Sequence, residues 1–292
     1  MKKTADIVAV NIISYAIVGL FALVCVIPFV ILLVSSFTSE HYIINYGYTL
    51  IPKEFSIEAY KMIFAYPKKI LDSYGISIFV TVVGTSTSLF LASMAAFVLY
   101  KKEVRYRNQM AFYLYFTTLF SGGLAPYYII LTTGYHLKNK LLVLLLVPMF
   151  NVMYILILRN FIKSSIPESL TESAKIDGAG DFRTFIQIIL PLSKPALASI
   201  GLFTALYYWN DWWTPMMFVE REVLFPLQYR LYLIISSVNM AANVVQSAIT
   251  VSLPQESLKL ALTVVSTGPI ILAYPFAQKY FVKGITLGSV KG

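Results

Sequence analysis

The chain has 292 residues, 58% of them hydrophobic and 13% charged, with a mean hydropathy of +0.72. Soluble domains carry roughly 25% charged residues, and a core able to hide this much apolar surface would leave too little polar surface for water, so an ordinary soluble protein is excluded. The net charge of +9 comes from 23 Lys and Arg against 14 Asp and Glu; because the basic residues cluster between apolar runs, the excess reads as membrane orientation rather than as a nucleic-acid surface.

A membrane-crossing helix needs about 20 mainly apolar residues. Six segments qualify: 8–37, 74–100, 110–131, 141–158, 196–218 and 257–281. The expected fold class is therefore all-α, a polytopic membrane protein with six transmembrane helices in one domain spanning 1–292. Lys2 and Lys3 precede the first run, but it far exceeds the roughly 7–15 apolar residues of a signal peptide, and no small-x-small cleavage site follows. Val24 ahead of Cys25 does not fit a lipoprotein site, so the run reads as a retained first span.

Cys25 is the single cysteine, which leaves no intramolecular disulfide and no Cys-based metal centre. His41 and His136 are isolated, and neither HxxxH nor HExxH occurs, so no metal or catalytic constellation is expected. No G-x4-G-K-[ST] is present either, so the chain has no P-loop of its own.

Two longer loops, 38–73 and 219–256, are rich in Tyr and Pro. Within the second, "VLFPLQYRLYLIISSV" is interrupted by Gln228 and Arg230 and is short for a crossing, which favours an interfacial or extramembranous helix. Its continuation, "SSVNMAANVVQS" (236–247), is polar and rich in small residues. Placing the N-terminus in the cytoplasm puts 101–109, 159–195 and the tail after 281 on the same side, and the Lys and Arg excess falls there. The opposite orientation would invert that asymmetry, so both termini are expected inside. The tail itself, "VKGITLGSVKG", reads as flexible and basic.

The most informative stretch is the cytoplasmic loop 159–195. "SIPE", from Ser165 to Glu168, is an S-x-x-E capping box with Pro in the first turn. A short helix is expected through Asp177, closed by Gly178 in a left-handed conformation. Leu170, Ala174 and Asp177 would share one face of it, with small side chains at Ser173 and Ala174 allowing close approach. Asp181 would cap a second helix over 182–190, with Phe182, Phe185, Ile186 and Ile189 as its anchoring stripe and Pro191 and Pro195 as its end. Grammar alone leaves two readings open, a docking knuckle and a plain amphipathic linker.

The spacing Glu172-Ser173-Ala174, three residues, Gly178, nine residues, Ile188, one residue, Leu190-Pro191 resembles the EAA loop of ABC importer permeases, E-A-A-x3-G-x9-I-x-L-P, with Ser173 in place of the first Ala. "IDGA" (176–179), "FSGGLAPYY" (120–128), "RNFIKSSIPESLTESAKIDGA" and "YPFAQKYFVKGITLGSVKG" (274–292) are similar to the carbohydrate-uptake permeases, in the branch that includes alginate-type glycan importers. The resemblance implies the type I ABC importer permease fold. It also implies a transport subunit without enzymatic activity, importing an oligosaccharide or other glycan across a bacterial cytoplasmic membrane.

It further implies that the loop passes the closure of a cytoplasmic ATPase to the spans. Coupling residues would be Glu172, Ser173, Ala174, Asp177, Gly178, Ala179, Leu190 and Pro191. The implied partners are a second, homologous permease, two ATPase subunits that bind ATP and Mg, an external sugar-binding protein and membrane lipid, with no nucleic acid and no cofactor in this chain. The resemblance also implies that the tail reaches the ATPases and that the 219–256 loop reaches the binding protein.

"YYWNDWW" (207–213) combines aromatic faces that stack on sugar rings with amide and carboxylate groups that bond hydroxyls. Tyr208, Asn210, Asp211 and Trp212 are the candidate substrate-pathway residues, although Trp and Tyr also serve as interfacial anchors and Asp211 could simply brace the fold. An ion-gradient transporter would need midplane ionisable groups or broken helices with repeat symmetry, and a membrane enzyme would need clustered carboxylates or His. The alternatives are an ion-gradient-driven secondary transporter of a small solute and an ABC importer permease for a non-sugar solute.

Overall fold

In the computed structural model residues 5–245 and 254–289 are described, and they are helical with no strand among them; one isolated bridge joins Thr38 and Phe55. In chain order the helices are α1 (Ala5–Ser35), α2 (Glu40–Tyr46), α3 (Glu58–Ile63), α4 (Pro67–Tyr100), α5 (Arg107–Leu119), α6 (Leu124–Ile129), α7 (Leu141–Leu146), α8 (Val152–Ser165), α9 (Glu168–Ile176), α10 (Asp181–Thr184), α11 (Leu190–Leu192), α12 (Lys194–Trp209), α13 (Trp213–Phe218), α14 (Leu227–Val245) and α15 (Gln255–Ser289). The chain forms two compact units, one of Met1–Pro67 with Leu231–Gly268, the other of Lys68–Arg230 with Pro269–Gly292.

In the first unit α1 is apolar all round, and its large side chains stand exposed from Val10 to Leu33. A helix without a polar face suits lipid rather than water. Beyond its end, Phe37 stacks on Tyr60, whose hydroxyl meets Ser36 Oγ at 2.8 Å. Ser39 caps α2 by accepting from Tyr42 N–H. The Glu40 carboxylate accepts from the backbone N–H groups of Glu256 and Ser257, at 2.9 and 2.8 Å, and from Ser257 Oγ. It thereby supplies the negative charge that a helix N-terminus favours and ties α2 to the start of α15.

In the second unit α4 runs 34 residues, about 51 Å at 1.5 Å per residue. It starts at Pro67, ahead of the expected 74, because a proline suits the first helical turn. Its buried face is built of Ser73, Ser77, Val80, Gly84, Ser88, Ala92 and Ala96, small side chains at three- and four-residue spacing that let neighbouring helices approach closely.

Three of the apolar runs are not single helices. Over 110–131, α5 stops at Leu119 and the helical stretch Leu124–Gly134 leaves at 115°. Gly123, at φ +88°, supplies the left-handed residue there. The run 141–158 breaks at 147–151, where Pro148 has no N–H to continue the ladder and Asn151 Oδ1 restarts it by accepting from Met153 and Tyr154. The run 196–218 divides at Asn210-Asp211-Trp212, so α12 is 16 residues long, about 24 Å. By length and composition α1 and α4 alone among the described helices could cross a membrane, or up to four crossings if each bent pair is one span.

The stretch expected as an interfacial or extramembranous helix is helical from Leu227 as α14, and 246–253 lie outside the described residues. The tail expected to be flexible is instead helical to Ser289 as part of α15, with 290–292 outside the described residues.

The core of the second unit joins α4, α8, the 185–189 segment and α12 through Phe97, Leu99, Ile155, Leu158, Ile162, Phe185, Ile189 and Ile200. Phe185 stacks on Phe97 at 5.8 Å and meets Phe90 edge-on at 5.9 Å. The second half of the 159–195 loop is therefore built into the bundle.

Candidate functional site

Two places carry the candidate functional side chains: the α9–α11 knuckle and an aromatic cleft at the α12–α13 break.

The capping box does not form, because Ser165 is still the last residue of α8 and Pro167 precedes α9 without a side-chain cap. The far end does follow the expected grammar. Gly178 has φ +77°, its N–H bonds to Lys175 O at 3.1 Å, and Ala179 N–H bonds to Ala174 O at 2.8 Å, which is the paired closure of a Schellman motif. Asp181 opens α10 as its first residue and is not its cap.

Pro191 does not end the second helix. Phe185–Ile189 is a π-helical turn with Leu190 N–H bonded to Phe185 O, and the helix runs through Pro191 to Leu192 before bending 78° into α12. Proline has no N–H to donate, and a π turn just ahead has already shifted the bonding ladder.

Burial sorts the knuckle residues. Ala174, expected to admit a partner, is 8% exposed and packs within its own chain, whereas Ile176 is 86% exposed. Glu172, Ser173 and Asp177 are exposed as well. Phe185 and Ile189 are buried as the anchoring stripe requires, but Phe182 stands outward. The apolar tip at Ile176 is the feature that helix periodicity did not single out.

The α4–α5 turn braces this knuckle. Lys101 pairs with Asp181 while lying over the Phe97 ring, Lys102 Nζ is 2.7 Å from Glu168 Oε2, and Lys175 Nζ is 3.4 Å from Glu103 Oε1. Glu103 is held below the usual carboxylate range, first by its own backbone N–H and then by Lys175. The bond to Glu168 pushes Lys102 up. Between the turn and the knuckle lies a cavity of about 430 Å³ bordered by Tyr100, Thr171, Glu172 and Lys175.

The aromatic cleft, also about 430 Å³, is lined by Tyr154, Phe203, Leu206, Tyr207, Asn210, Asp211, Trp212 and Trp213. Asn210, Asp211 and Trp212 of the expected set are at its wall. Asp211 Oδ1 accepts from Thr214 N–H at 3.0 Å, which starts α13, and Asn210 Oδ1 accepts from Gln228. Tyr208 is not at the wall. It is 3% exposed, and its hydroxyl donates to Leu145 O at 2.7 Å. The residue presented to the cleft is its neighbour Tyr207, 61% exposed. Tyr154 and Phe203 join from other turns, a grouping that the local "YYWNDWW" pattern could not reveal.

Farther along the same unit, the backbone after α13 is stitched in place. Asn139, at φ +60°, accepts at Oδ1 from the N–H groups of Glu220 and Arg221, at 2.6 and 3.2 Å. Lys138 pairs with Glu220 at 2.6 Å. Arg230 donates to Ser73 Oγ and to Glu222 O, each at 2.7 Å.

A chain whose described residues form helices and no strand, with exposed apolar helices, broken apolar runs and an exposed knuckle braced by a basic turn, has the build of a membrane transport subunit of the permease type. No family model matches the chain. It is 39% identical over 279 residues to the polygalacturonan/rhamnogalacturonan transport system permease protein YtcP of Bacillus subtilis (strain 168), covering 95% of this chain and 96% of that one. It is 36% identical over 272 residues to Protein LplC of the same organism, covering 92% and 90%. Among solved structures it matches a bacterial ABC transporter involved in the import of the acidic polysaccharide alginate, with a TM-score of 0.77 at 28% identity over 96% of this chain and 99% of that one. The chain belongs to the family of ABC transporter permeases of the carbohydrate-uptake type.

Proposed function

We propose that the chain is one membrane-spanning subunit of an ATP-driven importer that moves an oligosaccharide or other glycan into the cell. Its six apolar runs cross the membrane, three of them as broken helices, with both termini cytoplasmic. The observation that carries the reading is end-to-end identity of 39% with a named glycan transport permease.

The chain pairs with a second, homologous permease, and two cytoplasmic ATPases that bind ATP and Mg dock on the α9–α11 knuckle. Glu172, Ser173 and Asp177 give that docking face its polar contacts, and Ile176 is its apolar tip. Gly178 and Ala179 close α9, Ala174 seats it, and Leu190 and Pro191 carry it toward α12. Because Phe185 and Ile189 are locked into the core, a displacement of α9 reaches α4, α8 and α12 as rigid-body motion, the element through which such machines alternate between states.

The external binding protein delivers its sugar over the 219–256 loop. Tyr207, Phe203 and Trp212 then offer ring faces to the sugar, while Asn210 and Asp211 sit where hydroxyls pass.

Purified subunits in proteoliposomes test this. Uptake of labelled rhamnogalacturonan, polygalacturonan or alginate oligosaccharides should require ATP inside, the ATPase and the binding protein. Uptake driven by a proton or sodium gradient without the ATPase would refute the reading.

A further inference from the structure

The α4–α5 and α8–α9 junctions of the second unit enclose a cup of about 470 Å³ that the transport reading does not use. Its wall carries Lys102, Arg107, Arg159 and Lys163, the hydroxyls of Ser164 and Ser165, and a single carboxylate, Glu168. Glu168 is engaged by Lys102, whereas none of the ion pairs among the described residues involves Arg107, Arg159 or Lys163. Arg159 Nε donates to Leu99 O at 3.1 Å. That bond fixes the guanidinium and leaves its two terminal nitrogens for another acceptor.

Two further observations point to an anion. Arg107 opens α5, a helix of 13 residues with no acidic residue in its first turn and no side-chain cap. A cation at the positive end of a helix dipole is unfavourable unless a negative group offsets both. Three cations with no carboxylate partner among the described residues stand around one cup, two of them planar guanidinium forks, and match the oxygens of a phosphate group.

The surroundings specify the source of the phosphate. From Arg107 onward α5 presents Met110, Phe112, Tyr113 and Phe116 with 42–68% of each side chain exposed. A basic cup that opens beside an apolar helix face fits a molecule with a charged head and a hydrocarbon tail.

We propose that the cup binds the phosphodiester headgroup of an anionic phospholipid of the inner leaflet, with its acyl chains along the exposed side chains of α5. The proposal rests on the cytoplasmic placement of 101–109 and 159–195 given above. Basic pockets at helix ends on the cytoplasmic side are where anionic headgroups are held.

The test uses the full chain with its partner subunits in mild detergent, titrated with dioctanoyl phosphatidylglycerol, dioctanoyl phosphatidylcholine or inorganic phosphate and read by native mass spectrometry. Phosphatidylglycerol should be retained and phosphatidylcholine should not. The double variant Arg107→Gln, Lys163→Gln, which leaves the Arg159–Leu99 bond in place, should weaken retention on the order of tenfold or more. Unchanged retention in the double variant overturns the proposal. So does inorganic phosphate that competes at concentrations equal to the lipid, which would make the ligand a soluble anion. Loss of ATPase copurification with lipid retention intact overturns it as well, by assigning the cations to the ATPase. Labelling of Ile176→Cys by an impermeant maleimide from outside refutes the orientation; protection there with unchanged lipid retention refutes the lipid site alone.

Discussion

Gly84 lies against the ring of Tyr208 so closely that a Cβ built on it would stand 2.5 Å from the ring carbon Cζ. The ring cannot swing away, because its hydroxyl is tied to Leu145 O and the side chain is buried. Gly84→Ala should therefore force α4 and α12 apart and cost about 1–3 kcal/mol, as overpacking does. The thermal midpoint of the purified chain measures it. Adding Tyr208→Leu should cost less than the two single changes summed, since residues in contact do not act independently.

At Gly178 the constraint is backbone conformation, since nothing lies within 4 Å of a built Cβ while φ is +77°. Gly178→Val should strain the end of α9 by about 1–3 kcal/mol and unseat the Ala179–Ala174 bond. The variant should still insert into the membrane but lose ATP-dependent uptake and ATPase copurification. Gly178→Asn, which tolerates a left-handed φ, should keep most of both. Normal uptake by the Val variant would sink the docking role.

The brace between the α4–α5 turn and the knuckle depends on charge. Glu103 has its folded pKa lowered, so its contribution is complete above the ordinary 4.5 and is lost as pH falls through the lower folded value. Lys102 has its pKa raised, so its contribution is complete below 10.5 and is lost as pH rises through the higher folded value. Between about pH 6 and about pH 9 the brace should thus be insensitive to pH, while salt weakens its exposed pairs. Glu103→Lys should reduce coupled ATP hydrolysis, and Lys175→Glu in the same chain should restore part of it. Failure of the swap to restore any coupling would show that the pair is incidental.

Asn139 performs two tasks, tolerance of φ +60° and acceptance of two N–H bonds from Glu220 and Arg221. Asn139→Gly removes only the bonds and Asn139→Ala removes both. Protease nicking in 219–222 should therefore rise in the order Asn, Gly, Ala, with the Ala variant losing on the order of 1–3 kcal/mol of local stability.

What was legible in the sequence follows from which physics is local. Gly178 could be read because a left-handed helix stop is written in adjacent residues, and the apolar runs could be read because burial in lipid scales with composition. The breaks at 120–123, 147–151 and 210–212 escaped a hydropathy window, which weighs apolar residues and is blind to a positive φ at Gly123. Pro148 and Asn151, a helix breaker followed by a capping residue, were the signal for one of them. The choice between Tyr207 and Tyr208 was not written locally at all. It depends on Gly84 of α4, far away in the chain, whose missing side chain makes room for one ring and leaves the other to the cleft.

The wide turn at Phe185–Ile189 has a geometric corollary. With Leu190 reaching back five residues to Phe185, the segment holds one residue more than a regular helix of the same rise. Tightening it to ordinary pitch would spin everything downstream by about 100°. A push on α10 can in this way emerge at α12 as torsion, with Pro191, which has no donor to lose, riding beside the slack.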